Sequence, residues 1–394
     1  MIFNISFNKK LQLLVVELWI KWLNFWLMIF QKIFFKKLKS APNNILIYKI
    51  GNIGDIVCAI PAFIAVRRAY PSAKITLLTS PGERGALGAK ELLANVIYFD
   101  ELTIYYSDNL DSFEKKIKFA RDFKKNNYDL FVQLPDDLVN FRTLLRNMIF
   151  AKIIGVKSAF GFKIRTVQLF KKNQVDYLSQ KTEVESLLSL LRKNNINSGK
   201  IEYDFNIPEY QKRKVEIILE RKWGEAGKQC LVVAISAGGK RETNQWPKER
   251  FKEVVEYLSD KYNAKIVIVG GVADIAQAKL ITQNLRSENY LIVAGEIEIL
   301  GTIELLKHCS FLISNSTGTI HLAAAVRLPV VGIYGIRDIL GRWLPYGSHH
   351  KILYHKLMNC DYKNEDCIRK SIEAVSVKEV KFACDQIIAD IKFY

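Results

Sequence analysis

The chain has few cysteines and far fewer acidic than basic side chains. Its six cysteines, Cys58, Cys230, Cys309, Cys360, Cys367 and Cys384, are scattered through 394 residues, which excludes a disulfide framework of the kind that holds small secreted domains together. Cys360 and Cys367 lie close in sequence, but no second Cys/His pair at zinc spacing stands near them. The six therefore read as reduced thiols in a cytosolic compartment, and no metal site is expected. Asp and Glu number 40 against 58 Lys and Arg, a net charge of +18. That shortage of negative charge asks for an anionic partner: nucleic acid, an acidic membrane surface or a phosphorylated substrate. Nucleic acid is set aside because its signature, basic residues interleaved with exposed aromatics, is missing. The aromatics gather near the N-terminus and the lysines spread along the chain.

Apolar residues make up 49% of the chain, enough for real cores, and the length suggests two domains. Leu11 to Phe35 is the most apolar stretch. It carries Trp19, Trp22 and Trp26 with Phe25, Phe30, Phe34 and Phe35, while Glu17, Lys21, Asn24 and Gln31/Lys32 recur near helical spacing as a narrow polar stripe. Central charges fit a spanning helix badly. The run is too long for a secretory signal and leads into Lys36, Lys37 and Lys39. The expectation is an amphipathic helix lying in the membrane surface, with those lysines on anionic headgroups.

From Ile45 to Pro71 the chain reads as a buried strand, a glycine-bearing turn (GNIGD) and a helix. Asp55 falls in the first turn of that helix. It is either a cap for the helix N–H groups or a general base held at the carboxyl end of a strand, where open α/β sheets place their ligands. Strand-like runs follow at Lys74–Thr79, Val96–Phe99 and Tyr128–Leu134, with helices at Ser112–Lys125 and up to about Ile153. That order describes parallel strands covered by helices, a Rossmann-like half. Arg142 and Arg146, after the YDLFVQL run, are candidates to meet an anionic acceptor.

A second half repeats the pattern. Strands at Cys230–Ile235, Lys265–Val269, Leu291–Ala294, Phe311–Ser314 and Pro329–Tyr334 end in small, hydroxyl-bearing or basic loops. These are Ser236 to Arg241 (SAGGKR), Gly270-Gly271, Gly295-Glu296, Asn315 to Gly318 (NSTG) and Gly335 to Asp338. Glycines let backbone N–H groups approach a phosphate, Lys240 and Arg241 add charge, and the NSTG loop opens an alanine-rich helix that carries His321. Their convergence on one sheet edge suggests a nucleotide-diphosphate site.

Four ordered blocks carry a family resemblance: ILIYKIGNIGDIVCAIPAFIAVRRAYP, QWPKERF, SNSTGTIHLAAAVRLPVVGIYG and RWLPYG. With them the chain, from about Asn44 onward, resembles glycosyltransferase family 9, the lipopolysaccharide heptosyltransferases. The resemblance implies an α/β fold of GT-B type, two Rossmann-like domains facing across a cleft. Residues 1–43 would be a membrane-associating helix and basic linker, 44–208 the acceptor domain, 209–375 the nucleotide-sugar domain, and 376–394 a C-terminal helix that is a candidate to cross back. It implies an inverting, metal-independent transfer of a sugar, usually heptose from ADP-heptose, with no cofactor. The acceptor would be a lipid-linked, phosphorylated inner-core saccharide at the cytoplasmic face of the inner membrane, with the enzyme peripheral on that anionic surface. Asp55 matches the aspartate proposed as the base in this family. Acceptor binding then falls to Gly51, Asn52, Gly54, Arg142 and Arg146. Donor binding falls to Ser236, Gly238, Gly239, Lys240, Arg241, Trp246, Gly270, Gly295, Glu296, Asn315, Ser316, Thr317, Gly318 and His321. Two positions depart from the family pattern: Ser316 stands where Asp is common, and Asn244 where Lys is common two residues before the Trp-Pro pair. A transferase using another nucleotide-sugar, or a nucleotide-sugar epimerase of the same fold, is the alternative reading.

Overall fold

A computed structural model describes residues 7–392, except 83, 86, 137–138, 166–180, 225–229, 339–340, 358–359 and 361–363. The chain divides into two compact units, Met1–Asp204 and Phe205–Tyr394. Each is a parallel sheet dressed with helices, as the GT-B type requires.

The first unit begins with helix α1 (Phe7–Phe34). Its sheet holds β1 (Asn44–Tyr48), β2 (Lys74–Thr79), β3 (Glu101–Ile104), β4 (Leu130–Gln133) and β5 (Ser158–Phe160) in the order β3-β2-β1-β4-β5, all parallel. Ile45 is in register with Ile75 on one side and Leu130 on the other. The central strands are buried on both faces, which explains why they read as continuous apolar runs instead of alternating ones. The helices are α2 (Ile53–Ala69), α3 (Ala89–Leu93), α4 (Phe113–Lys124), α5 (Phe141–Ile153) and α6 (Glu183–Arg192). Ser112 caps α4 and Asn140 caps α5, each accepting from an N–H of the first turn. The strand expected at Val96–Phe99 is absent; pairing resumes at Glu101. Tyr98 and Phe99 are buried because their rings pack on Phe63, not because their backbone joins the sheet.

The second unit contains α7 (Glu209–Trp223), β6 (Val232–Ser236), α8 (Lys248–Tyr262), β7 (Lys265–Ile268), α9 (Ile275–Thr282), β8 (Tyr290–Ile292), α10 (Ile299–Lys307), β9 (Phe311–Asn315), α11 (Gly318–Ala325), β10 (Val330–Tyr334), β11 (Lys351–Tyr354), α12 (Glu365–Glu373) and α13 (Val377–Lys392). The sheet order is β11-β10-β9-β6-β7-β8, again parallel. Its core joins Ile235, Phe251, Ile313 and Ile333 to Val380, Cys384, Ile387 and Ile388 of α13, so the apolar face of that last helix is committed to this unit.

One local expectation is corrected. Cys360 and Cys367 are joined as a disulfide, their Cα atoms 5.4 Å apart. Asn364 caps α12 and so places Cys367 in the first turn of that helix. Cys58, Cys230, Cys309 and Cys384 remain thiols, and burial pushes that of Cys309 up to about 12. Lys21 and Lys32 of the polar stripe of α1 are exposed to solvent. Glu17 pairs with Lys21 at 2.8 Å, while the Asn24 carboxamide is turned toward the protein, donating to the Ile164 carbonyl at 3.0 Å and accepting from its N–H at 2.8 Å.

Candidate active site

In each sheet the strand order reverses at one place, and there the loops leave the carboxyl ends in opposite directions and open a crevice. The first sheet reverses between β1 and β4, the second between β6 and β9. Asp55 and its turn lie at the first of these points, and the loops after β6 and β9 at the second.

At the first, β1 runs into Lys49-Ile50-Gly51-Asn52 and then α2, which puts Asp55 in the third helical position. Its carboxylate accepts from the Asn52 N–H at 3.0 Å. Asp55 is therefore a cap, a half-buried carboxylate held in one place at a helix N-terminus. Gly51 has φ +144°, and a Cβ there would lie 2.3 Å from the Asp55 Cβ. Only glycine permits this approach. Asn52 and Gly54 share the half-buried turn.

Arg142 and Arg146 are exposed on the first turns of α5, beyond β4. The charge of Arg146 acts on a pair of phenols that sequence reasoning missed: Tyr48, last in β1, and Tyr105, just past β3, whose oxygens are 2.6 Å apart. Burial holds both phenols well above their usual range, so they stay neutral hydrogen-bonding groups.

At the second point, the loops after β6 and β9 touch. Ser236 Oγ donates to Thr319 Oγ1 at 3.2 Å, and a Cβ on Gly239 would come within 3.7 Å of the Thr317 methyl. Thr317 is the N-cap of α11, and its side chain does not cap, so Ser316, Thr317 and Gly318 present the helix N-terminus half-exposed. Such an end favours anions. Gly270 and Gly295 join the same edge, the Gly295 N–H donating to the Gly270 carbonyl at 3.0 Å. Glu296, Lys240 and Arg241 are exposed beside it. Arg241 is 3.5 Å from Glu365, and its charge, together with burial, lowers the pKa of Arg337 in the loop after β10.

Two expected donor residues brace the edge from within. Trp246 is fully buried, and its indole N–H donates to the Val375 carbonyl at 2.8 Å. Asn315 accepts from the Trp246 N–H at 2.9 Å and donates to the Ala237 carbonyl, tying the β6 and β9 loops together. His321 is buried against Trp343, and burial drops its pKa to about 4, so the imidazole is neutral at pH 7. Asn244 donates to Asp338 at 3.4 Å and faces Gly335, which places it on the β10 loop.

Sequence reasoning also missed Asp274. Its carboxylate accepts from the Gly271 N–H at 2.8 Å and occupies the room that side chains on Gly238 and Gly270 would need, at 2.1 and 2.6 Å from their Cβ positions. Both glycines make way for an acid, and the only hint was Asp three residues after a glycine pair. Among the described residues no cluster of three or more His, Cys, Asp or Glu is placed to hold a metal ion.

Comparison with known proteins agrees with this architecture. The model of a family described as glycosyltransferase family 9 (heptosyltransferase) matches residues 116–372. Lipopolysaccharide heptosyltransferase 3 of Escherichia coli is 22% identical over 300 residues, 75% of this chain and 84% of the relative. A solved glycosyltransferase family 9 structure from Veillonella parvula superposes with a TM-score of 0.71 at 17% identity, over 90% of this chain and 100% of that one. An E. coli heptosyltransferase solved with ADP superposes with a TM-score of 0.59 at 16% identity, over 87% and 99%.

Proposed function

Since the chain belongs to glycosyltransferase family 9, and is thereby a glycosyltransferase, we propose that it transfers a sugar from a nucleotide-diphosphate donor, ADP-heptose by its relatives, to a lipid-linked, phosphorylated saccharide of the lipopolysaccharide inner core. The observation that carries this reading is the placement of Asp55. It is fixed by a backbone hydrogen bond at the switch point of the first sheet, beside a glycine that leaves its flank open.

In the proposed reaction Asp55 takes the proton of the acceptor hydroxyl as that oxygen attacks the anomeric carbon from the face opposite the departing diphosphate, so the centre inverts. Arg142 and Arg146 bind the acceptor's phosphates. The diphosphate leaves toward the N-terminus of α11 at Thr317-Gly318 and the glycine-rich loop with Lys240 and Arg241, whose N–H groups and cations stabilise the developing charge without a metal. Asp274, an acid beside that loop, suits the hydroxyls of the donor rather than its phosphates. The enzyme works as a peripheral protein at the cytoplasmic face of the inner membrane, where a lipid-anchored acceptor resides.

Asp55→Asn tests the reading. It should keep the fold and nucleotide affinity and lower kcat by about 10² or more. Near-normal transfer by the variant removes Asp55 from the mechanism. A panel of ADP, UDP and GDP in thermal unfolding separates the heptose donor from others: stabilisation selective for UDP or GDP would overturn it.

A further inference from the structure

Helix α1 has two apolar faces, and only one of them is used. At 100° per residue, Ile20, Leu23, Leu27, Phe30 and Phe34 share one side. That side enters the first unit's core: Ile20 and Leu27 are 4% and 0% exposed, and Leu23, Phe30 and Phe34 pack against the same cluster. Phe35 continues it, stacked on Phe162, which stacks on Phe131 of β4. Polar bonds fix the seating. Asn24 makes its paired bonds to Ile164, the Lys36 N–H donates to the Lys157 carbonyl at 3.0 Å, and Lys152 donates to the Phe34 carbonyl at 3.1 Å.

Leu14, Leu18, Trp19, Trp22, Phe25 and Trp26 fall on the other side. All stand open: Trp19 is 55% exposed and Trp22 48%. So large an aromatic face left in water has a partner, and the charge around it says which. The first 40 residues hold seven lysines against one glutamate, and that glutamate, Glu17, is paired with Lys21. Lys9 and Lys10 flank one end of the face, and Lys36, Lys37 and Lys39 the other. A second copy of the chain would bring these lysines together with no acid to meet them. A surface of anionic headgroups over acyl chains meets both the tryptophans and the lysines.

We infer that α1 is an in-plane membrane dock built into the first unit: its inner face is core, and its outer face lies in the headgroup region of an anionic bilayer. This deepens the membrane-surface part of the proposed function and rests on it. By length and composition Leu14–Phe34 is long enough to cross a bilayer. Crossing would strip the inner face from the soluble core and leave Asn24 without its backbone partners in hydrocarbon. The dock instead holds the first unit at a set attitude to the lipid, because no flexible tether lies between them.

The test is flotation of the full chain with vesicles of phosphatidylcholine containing phosphatidylglycerol. Trp19→Ser/Trp22→Ser/Trp26→Ser should bind at least about tenfold more weakly while keeping the wild-type unfolding temperature and ADP response. Lys36→Gln/Lys37→Gln/Lys39→Gln should lose binding only where phosphatidylglycerol is present. Alkaline carbonate should release the bound wild type. Undiminished binding by the tryptophan variant overturns the inference, as does retention after carbonate, which would mean a span. A lipid-free dimer that becomes monomeric in the tryptophan variant overturns it too, by assigning the face to a second copy. Asp55→Asn should float like wild type, so failure of the catalytic reading leaves this result unaffected.

Discussion

In the turn Gly51-Asn52-Ile53-Gly54-Asp55 one residue is a cap and, in the proposed reaction, the reagent as well. A helix cap needs an acceptor near the first N–H groups, and a general base needs an ionised carboxylate in a defined place. One hydrogen bond from the Asn52 N–H serves both. Gly51 is where the two demands meet, since its φ of +144° and the 2.3 Å approach to Asp55 leave no room for a Cβ. Gly51→Ala should therefore push the carboxylate aside and cost kcat about tenfold or more, with nucleotide-induced stabilisation unchanged because the second unit is untouched. Steady-state kinetics beside thermal unfolding with ADP checks this. Transfer at the wild-type rate would mean that the position of Asp55 is not critical.

At the scale of elements, a buried ion cluster holds the first unit together near that turn. Lys49, directly after β1, is fully buried and lies 3.5 Å from Glu183, the first residue of α6, which is 1% exposed. Arg165 reaches the other Glu183 oxygen at 2.6 Å. Helix α6 packs on α2, the helix that carries Asp55. One carboxylate thus serves two cations from distant parts of the chain. Removing it breaks both ion pairs, whereas removing Lys49 leaves the Arg165 pair. Glu183→Leu should cost about 3–5 kcal/mol in urea unfolding, and Lys49→Met clearly less. Equal losses, or losses within about 0.5 kcal/mol of wild type, would show that the cluster does not act as a unit. This cluster marks what could and could not be read beforehand. The alternation of strands and helices was legible, because parallel strands buried on both faces read as apolar runs between glycine loops. The loops at the carboxyl edge of the second sheet were legible from their composition. Short edge strands such as β5 and β11 were not, since three or four residues carry too little pattern. Nor were features made by distant pairing: Glu183 with Lys49, Asn24 with Ile164 across 140 residues, and Asp274 under two glycines. The disulfide was misread because spacing alone does not tell a thiol pair from a bridge.

For the whole molecule, the distribution of the charge says more than its total. The first unit carries 31 Lys and Arg against 18 Asp and Glu, an excess of 13, and the second 27 against 22, an excess of 5. Were the charge there to hold the nucleotide diphosphate, the second unit would be the more basic one. Its weight in the first unit fits the proposed phosphorylated acceptor and lipid surface, both extended and anionic, which would attract through the summed field rather than through single pairs. A summed field is screened: the Debye length falls from about 10 Å at 0.1 M salt to about 3 Å at 1 M, while close contacts at a helix N-terminus or a partly buried loop are screened far less. The two substrates should therefore respond differently to salt. With a lipid-anchored acceptor in anionic vesicles, the acceptor KM should rise about tenfold or more between about 50 mM and 500 mM NaCl, while the donor KM changes by about twofold or less. The kcat at saturating acceptor should stay nearly constant, because the proposed chemical step relies on Asp55 and the α11 terminus at short range. Initial rates over a salt series, varying each substrate in turn, give the comparison. A donor KM as salt-sensitive as the acceptor KM would place the working charge in the second unit instead, and a flat acceptor KM would leave the basic excess of the first unit without a role in acceptor capture.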